Sequence, residues 1–275
     1  MEQIVNIVAI GKKEICQEIY DKFKKYVPNK ELEKLYKFQG GLLTVTLKEG
    51  SPQTEEAIEV MKENGLTPTL FAHVYCTKKE LENDVDFFKM IPKCPNELEG
   101  TDESDYGTKL VGGCPSCGVG SKSNGVIFVD RKLMKKCTFG YLLPDYVVSK
   151  EVKEIIEANG LTGVTFEKRV KDYKGREMDD FYAVNFENTL PPMSEKTWLV
   201  EYQKEYCCKT CGHCTTYLRS EIRYEREKLQ NALDFNLAKE YVDNWDTQEI
   251  IVSAKARKVF KENKIRIRFD PVTIL

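Results

Sequence analysis

The chain has 275 residues, 41% hydrophobic and 31% charged, and its 42 Lys plus Arg nearly balance 44 Asp plus Glu for a net charge of −2. That length admits two domains and a sizeable core, and the charge balance argues against a protein built wholly around a polyanion. The opening MEQIVNIVAIGKKE lacks a basic leader and a long apolar run, and no stretch nears the ~20 apolar residues of a membrane helix, so the expectation is a soluble cytoplasmic protein with no membrane partner.

From residue 3, QIVNIVAI predicts a buried strand, and Ile15, Ile19, Phe23 and Val27 then recur as one face of an amphipathic helix. FQGGLLTVTLKEG reads as one or two strands turning at Gly40-Gly41. A helix is expected after Thr54, with Glu55 and Glu56 at its positive dipole end, Ala57, Ile58 and Met61 on its apolar face, and Asn64-Gly65 as its stop. LFAHVY predicts a strand, and Thr77 with Glu80 forms a capping box ahead of Leu81, Val85 and Phe88 at helical spacing. Residues 1–92 therefore read as an α/β module whose element order is compatible with a ferredoxin-like arrangement. Residues 93–113 hold five acidic residues and four glycines and read as an exposed loop. A second irregular stretch, roughly 171–200, carries KDYKGREMDD and Pro191-Pro192.

An internal repeat organises residues 93–275. One unit, 114–170, runs from CPSCG through VIFVD and RKL to DYVVSKEVKEIIEANGLTGVTFEKRV; the other, 208–272, runs from CKTCG through REKL to QEIIVSAKARKVFKENKIRIRFDPV. Ser149 and Ser253 stand between apolar strands and helices, the place of an N-cap. Val152, Ile155 and Ile156 in one helix match Ala256, Val259 and Phe260 in the other, with Asn159-Gly160 and Asn263 as stops. Val164 and Phe166, and Ile265, Ile267 and Phe269, then alternate with polar residues in closing strands. The expected fold class is α+β: an N-terminal α/β module, 1–92, followed by a duplicated zinc-knuckle β-α-β unit, 93–275.

Ten cysteines are many for a cytosolic chain, where disulfides are not expected to persist. Cys16 and Cys76 lie on apolar segments and read as small core residues. Each CxxCG can offer two thiolates, with the glycine allowing a tight turn of positive φ. Cys114, Cys117, Cys208 and Cys211 together make the closed ligand set of one structural zinc ion. Pairing the two copies explains why each keeps one knuckle. The alternatives are a local site of Cys207, Cys208, Cys211 and Cys214 with His213, leaving Cys114 and Cys117 to recruit Cys94 and Cys137, or redox or iron–sulfur chemistry at the same cysteines.

The two histidines are His73, in a strand-like segment where a structural role is expected, and His213. No HExxH, GxSxG, Walker A, GxGxxG or zinc-deaminase signature occurs, so no enzyme is expected. Between Lys255 and Arg268 stand seven basic residues and one acidic one, and Lys255, Arg257, Lys258, Lys261, Arg266 and Arg268 would serve a zinc-ribbon nucleic-acid binder. The two CxxCG motifs, the Val-Ser-capped helix, GLTGVTFEKRV and the terminal RFDPV resemble the double-CXXCG motif proteins of bacteria over about residues 75–275. The resemblance implies zinc ligation by Cys114, Cys117, Cys208 and Cys211. Some members of that family are regarded as immunity proteins, which implies a protein partner, a cognate toxin. Cys207 and Cys214 depart from the family's simple pattern.

Overall fold

The computed structural model describes residues 1–28, 41–92, 110–123, 125–134, 137–142, 145–201, 207–242 and 247–275. Met1–Asp84 with Arg219–Glu221 form one compact unit, and Val85–Leu218 with Ile222–Leu275 form the other. Mixed α+β structure is present in both.

In the first unit, strand β1 (Glu2–Ile10) is the centre of a three-stranded sheet. Helix α1 (Lys13–Phe23) buries Cys16, Ile19 and Phe23; of the expected face, Ile15 is half-buried and Val27 lies beyond the helix, which ends in a 3-10 turn over Lys24–Tyr26. Strand β2 (Leu42–Lys48) is a single strand antiparallel to β1; Gly40 lies outside the described residues. Helix α2 (Pro52–Glu63) begins before Thr54, because Pro52 occupies the first helical position and Ser51 is already extended. Thr54 is buried in the first turn, donating Oγ1 to the Lys48 carbonyl at 2.9 Å, while Ala57 and Met61 face the core. Gly65, at φ +72°, follows the helix stop. Strand β3 (Thr69–Tyr75) pairs antiparallel with β1, and helix α3 (Lys78–Asn83) carries the full Thr77–Glu80 capping box. With β1 antiparallel to both neighbours, β2 and β3 run parallel with β1 between them and α2 linking them, a split βαβ; the sheet has three described strands, where the full ferredoxin-like arrangement has four. Buried Asn6 accepts a hydrogen bond from Thr46 at 2.7 Å, and its Nδ2 lies 3.3 Å from His73 Nε2, so His73 is part of the packing.

Val85 and Phe88 do not continue α3. Residues 87–92 form strand β4 (Phe87–Pro92) in the second unit, so the boundary expected at 92 falls at 84. Phe88 and Met90 are buried on the strand period of two. Strand β5 (Leu110–Gly112), in the stretch read as loop, pairs antiparallel with β6 (Ser121–Ser123) around the first CxxCG. Then come β7 (Ile127–Val129), a single helical turn α4 (Arg131–Met134), and the hairpin β8 (Phe139–Leu142) and β9 (Asp145–Ser149). Helix α5 (Lys150–Ala158) leads to β10 (Val164–Glu167) and β11 (Val170–Asp172), and β11 pairs parallel with β7. The stretch read as irregular contains another strand, β12 (Phe181–Phe186).

The same order follows. Strands β13 (Leu199–Glu201) and β14 (Thr216–Leu218) pair around the second CxxCG. Strand β15 (Arg223–Tyr224) pairs parallel with the terminal β19 (Thr273–Ile274), and a 3-10 turn at Arg226–Leu229 takes the place of α4. The hairpin β16 (Phe235–Val242) and β17 (Thr247–Ser253), helix α6 (Ala254–Glu262) and β18 (Ile267–Pro271) complete it. The closing strand starts at Ile267, two residues after Ile265, because Lys264 turns the chain at φ +56° where the first half uses Gly160 at φ +55°.

The two four-stranded sheets of this unit run β10-β12-β9-β8 and β18-β4-β17-β16. In each, a strand that belongs elsewhere in the chain order is inserted between the hairpin and the closing strand. Phe181 sits opposite Ser149 and Phe87 opposite Ser253; Val184 sits opposite Phe166 and Met90 opposite Phe269. The strand preceding the first knuckle thus completes the second sheet, and the strand preceding the second knuckle completes the first. The Asp86 and Asp180 carbonyls accept from the first helical N–H groups, Ala254 and Lys150, each at 2.7 Å. Lys153 Nζ lies 5.2 Å from the Tyr182 ring centroid, and Arg257 stands 4.5 Å from that of Phe88, the matching pair.

Ser149 Oγ accepts from Val152 N–H at 3.3 Å and Ser253 Oγ from Ala256 N–H at 3.1 Å, the caps read from the sequence. Ser149→Ala is expected to lower the second unit's stability by ~1 kcal/mol. Ser253→Ala should cost more, because that hydroxyl also donates to Asp234 Oδ1 at 2.6 Å. Denaturant unfolding of the two variants measures both. No helix among the described residues is long and apolar enough to cross a membrane.

Candidate metal centre

Both CxxCG segments form the same closed turn. Cys114 N–H donates to the Val119 carbonyl at 2.9 Å and Gly118 N–H to the Cys114 carbonyl at 2.8 Å; Cys208 donates to His213 at 2.7 Å and Gly212 to Cys208 at 2.8 Å. Gly118 and Gly212 hold φ +76° and +74°, left-handed values at which an L side chain is strained. The turns aim backbone N–H groups at sulfur, as in the Ser116 N–H donation to Cys114 Sγ at 3.5 Å.

The two turns meet. Cys114 and Cys208 sulfurs are 3.7 Å apart, Cys117 and Cys211 sulfurs are 3.7 Å apart, and Ser116 and Thr210 hydroxyls touch at 2.5 Å, each pair separated by 94 residues in sequence. All four sulfurs lie within 4.8 Å of one another. A tetrahedron with metal–sulfur bonds of ~2.3 Å has edges of about 3.8 Å, so the spacing fits one four-coordinate ion. Cys114 and Cys208 are half-buried, and Cys117 and Cys211 are exposed. This is the one such group of metal-ligating side chains among the described residues.

Four thiols at this distance cannot all ionise unaided. The Cys211 and Thr210 N–H groups pull Cys208 down to about 6, and the Ser116 and Cys117 N–H groups pull Cys114 down as well. The Val119 N–H also pulls on Cys117, but desolvation and sharing of its proton with Cys208, Cys211 and Cys114 push that thiol up to about 12. Cys211 is raised despite the His213 N–H, through desolvation and its neighbours Cys114 and Cys208. A bound cation removes this conflict, because a coordinating thiol is deprotonated outright.

No family model and no curated protein matches the chain.

The other cysteines are placed apart from this group. Cys207 and Cys214 are joined to each other in a disulfide, against the expectation that none would persist, and are not available to a local four-cysteine site. His213 packs its ring against Tyr241, 6.3 Å between centroids. Cys137 is buried in the core with Ile127, Met134 and Val147. Cys94 lies outside the described residues. Cys16 is buried, its thiol pushed up by that burial, and half-buried Cys76 is pushed up to about 11, first by burial and then by Glu80.

Proposed function

We propose that the four cysteines hold one structural zinc ion shared between the halves of a duplicated unit, and that the protein acts by binding a partner protein, a cognate toxin. The convergence of two sulfur pairs 94 residues apart at tetrahedral spacing is the observation that carries the metal reading. Four thiolates leave no open coordination position, so such an ion holds shape and activates no water. The matched strand order, caps and registers of the two halves support duplication. The partner rests on the resemblance to immunity proteins, and a cytoplasmic location goes with it.

The nucleic-acid reading is the weaker one. Arg257 stacks on Phe88, Lys255 pairs with Asp234 at 3.6 Å, Lys258 with Glu262 at 4.0 Å and Arg268 with Asp270 at 2.6 Å, so much of the basic segment's charge is met within the chain.

Elemental analysis of purified protein should return about one zinc per chain, with no visible absorption from iron. Two zinc ions per chain, or none, would remove the shared site. Co-expression with the product of the neighbouring gene should give a complex and protection from its toxicity. Neither, together with salt-dependent retention on DNA or RNA, would favour the nucleic-acid reading.

A further inference from the structure

We propose that Cys207 and Cys214 are a thiol–disulfide exchange site whose redox state sets how firmly the second knuckle keeps its metal; this rests on the metal reading above. The bond closes a loop that contains both ligands of that knuckle, Cys208 and Cys211.

The first knuckle shows that the turn does not need the bond. At the 94-residue separation that relates the sulfur pairs, the counterparts of Cys207 and Cys214 are Gly113 and Gly120. These two glycines also meet: a Cβ on Gly120 would stand 3.7 Å from Gly113 Cα. A Cβ on Gly113, at φ +68°, would come within 2.5 Å of Ser121 N. One knuckle closes by bare backbone contact and the other by a covalent bond at the same place, with the same hydrogen bonds inside. The disulfide is thus an addition to a turn that forms without it, placed on one ligand pair and not the other.

Both cysteines are half-buried and not enclosed in the core, and exchange requires that a small thiolate reach one of the two sulfurs. Attack by the thiolate of a small-molecule thiol on one sulfur forms a mixed disulfide and expels the other cysteine as a thiolate. A second small thiolate then attacks the mixed disulfide, releasing the first cysteine and leaving the small thiol as its own disulfide. Two electrons pass to the protein pair, which takes up two protons from the two thiols. The oxidised loop keeps Cys208 and Cys211 close to their liganding places when the ion departs, so recapture is fast; the reduced loop gains conformational freedom and loses that advantage.

The test uses the full chain loaded with zinc, equilibrated with oxidised or reduced glutathione and freed of it. Zinc release is then followed with the chelating dye 4-(2-pyridylazo)resorcinol. Alkylation and mass measurement report the state of Cys207 and Cys214. The reduced protein is expected to release zinc several-fold faster than the oxidised one. The double variant Cys207→Gly with Cys214→Gly, which copies the first knuckle, should release at the reduced rate after either treatment. Equal rates from oxidised and reduced wild type, or a pair that alkylation shows is not reduced by glutathione, would overturn the inference and leave the metal reading standing. A redox dependence that survives in the double variant would also overturn it, placing the effect on the ligands. A chain that takes up no zinc in either state overturns the metal reading and this inference together.

Discussion

Cys117→Ser and Cys211→Ser, made singly, are each expected to strip the metal completely, although they lie on different knuckles. Their sulfurs stand 3.7 Å apart, so removing either leaves three thiolates around one ion. Structural zinc is worth ~10–16 kcal/mol of apparent binding energy in small zinc-binding peptides, comparable with the whole stability of a domain. Loss of even about 5 kcal/mol of that would lower a melting transition by roughly 10–20 °C in a unit of this size. The second unit, Val85–Leu218 with Ile222–Leu275, should therefore melt far earlier or lose its fixed packing. The first unit has its own core of Ile7, Phe23, Leu43 and Met61 and should keep its transition. Calorimetry beside elemental analysis measures both effects. Retention of about half the wild-type metal by each variant would show that the knuckles hold separate ions.

The features legible in the sequence are those set by chemistry within a few residues. CxxCG specifies its own turn, and a serine between an apolar strand and a helix specifies a cap; both ligand pairs and both caps stand where their local sequence puts them. The inserted strands were not legible that way. β4 follows a capped helix whose apolar spacing runs on through Val85 and Phe88, and β12 follows the charged run ending at Asp180. The partners of β4 lie near the far end of the chain, and β12 reaches back past β11 to β10 and β9, so no pattern within either segment marks it as a member of a sheet. A signal does exist: Asp86-Phe87-Phe88 and Asp180-Phe181-Tyr182 precede their CxxCG motifs by the same interval, a likeness between the two segments that starts upstream of the cysteines. Cys207–Cys214 was missed for another reason, since compartment chemistry argues about where disulfides last and not about which sulfurs can reach one another.

The exchange of strands and the shared sulfur cluster have one consequence in common. Each sheet of the second unit takes its inserted strand from the other half, and the ion would take two ligands from each half. Removing β4 or β12 from its sheet would leave the neighbouring strands with a row of unpaired backbone groups. The halves are thereby coupled through ladders at the sheets and through sulfur at the knuckles, two kinds of bond that fail under different conditions.

Gly163→Ala is expected to be among the most damaging single substitutions away from the cysteines. Gly163 has φ +97° and leads from the loop after α5 into β10, where a Cβ would stand 2.1 Å from the Phe235 carbonyl oxygen and 3.0 Å from Leu233 Cβ. The neighbour is backbone and cannot swing aside. Phe235 is fully buried on β16, and its N–H donates to the Thr162 carbonyl at 3.0 Å, so withdrawing β16 breaks that bond as well. Left-handed strain alone costs ~1–2 kcal/mol for a residue with a Cβ. Overlap in a packed interior adds typically ~1–3 kcal/mol, so the sum should reach about 3–4 kcal/mol and lower the second unit's melting temperature by roughly 6–16 °C. Gly175→Ala separates the two terms, because Gly175 has φ +74° with nothing within 4 Å of its added Cβ. That variant should show the strain alone. Denaturant unfolding of the pair measures the difference, and equal losses would mean that the close approach of β16 to Gly163 contributes nothing to the fold.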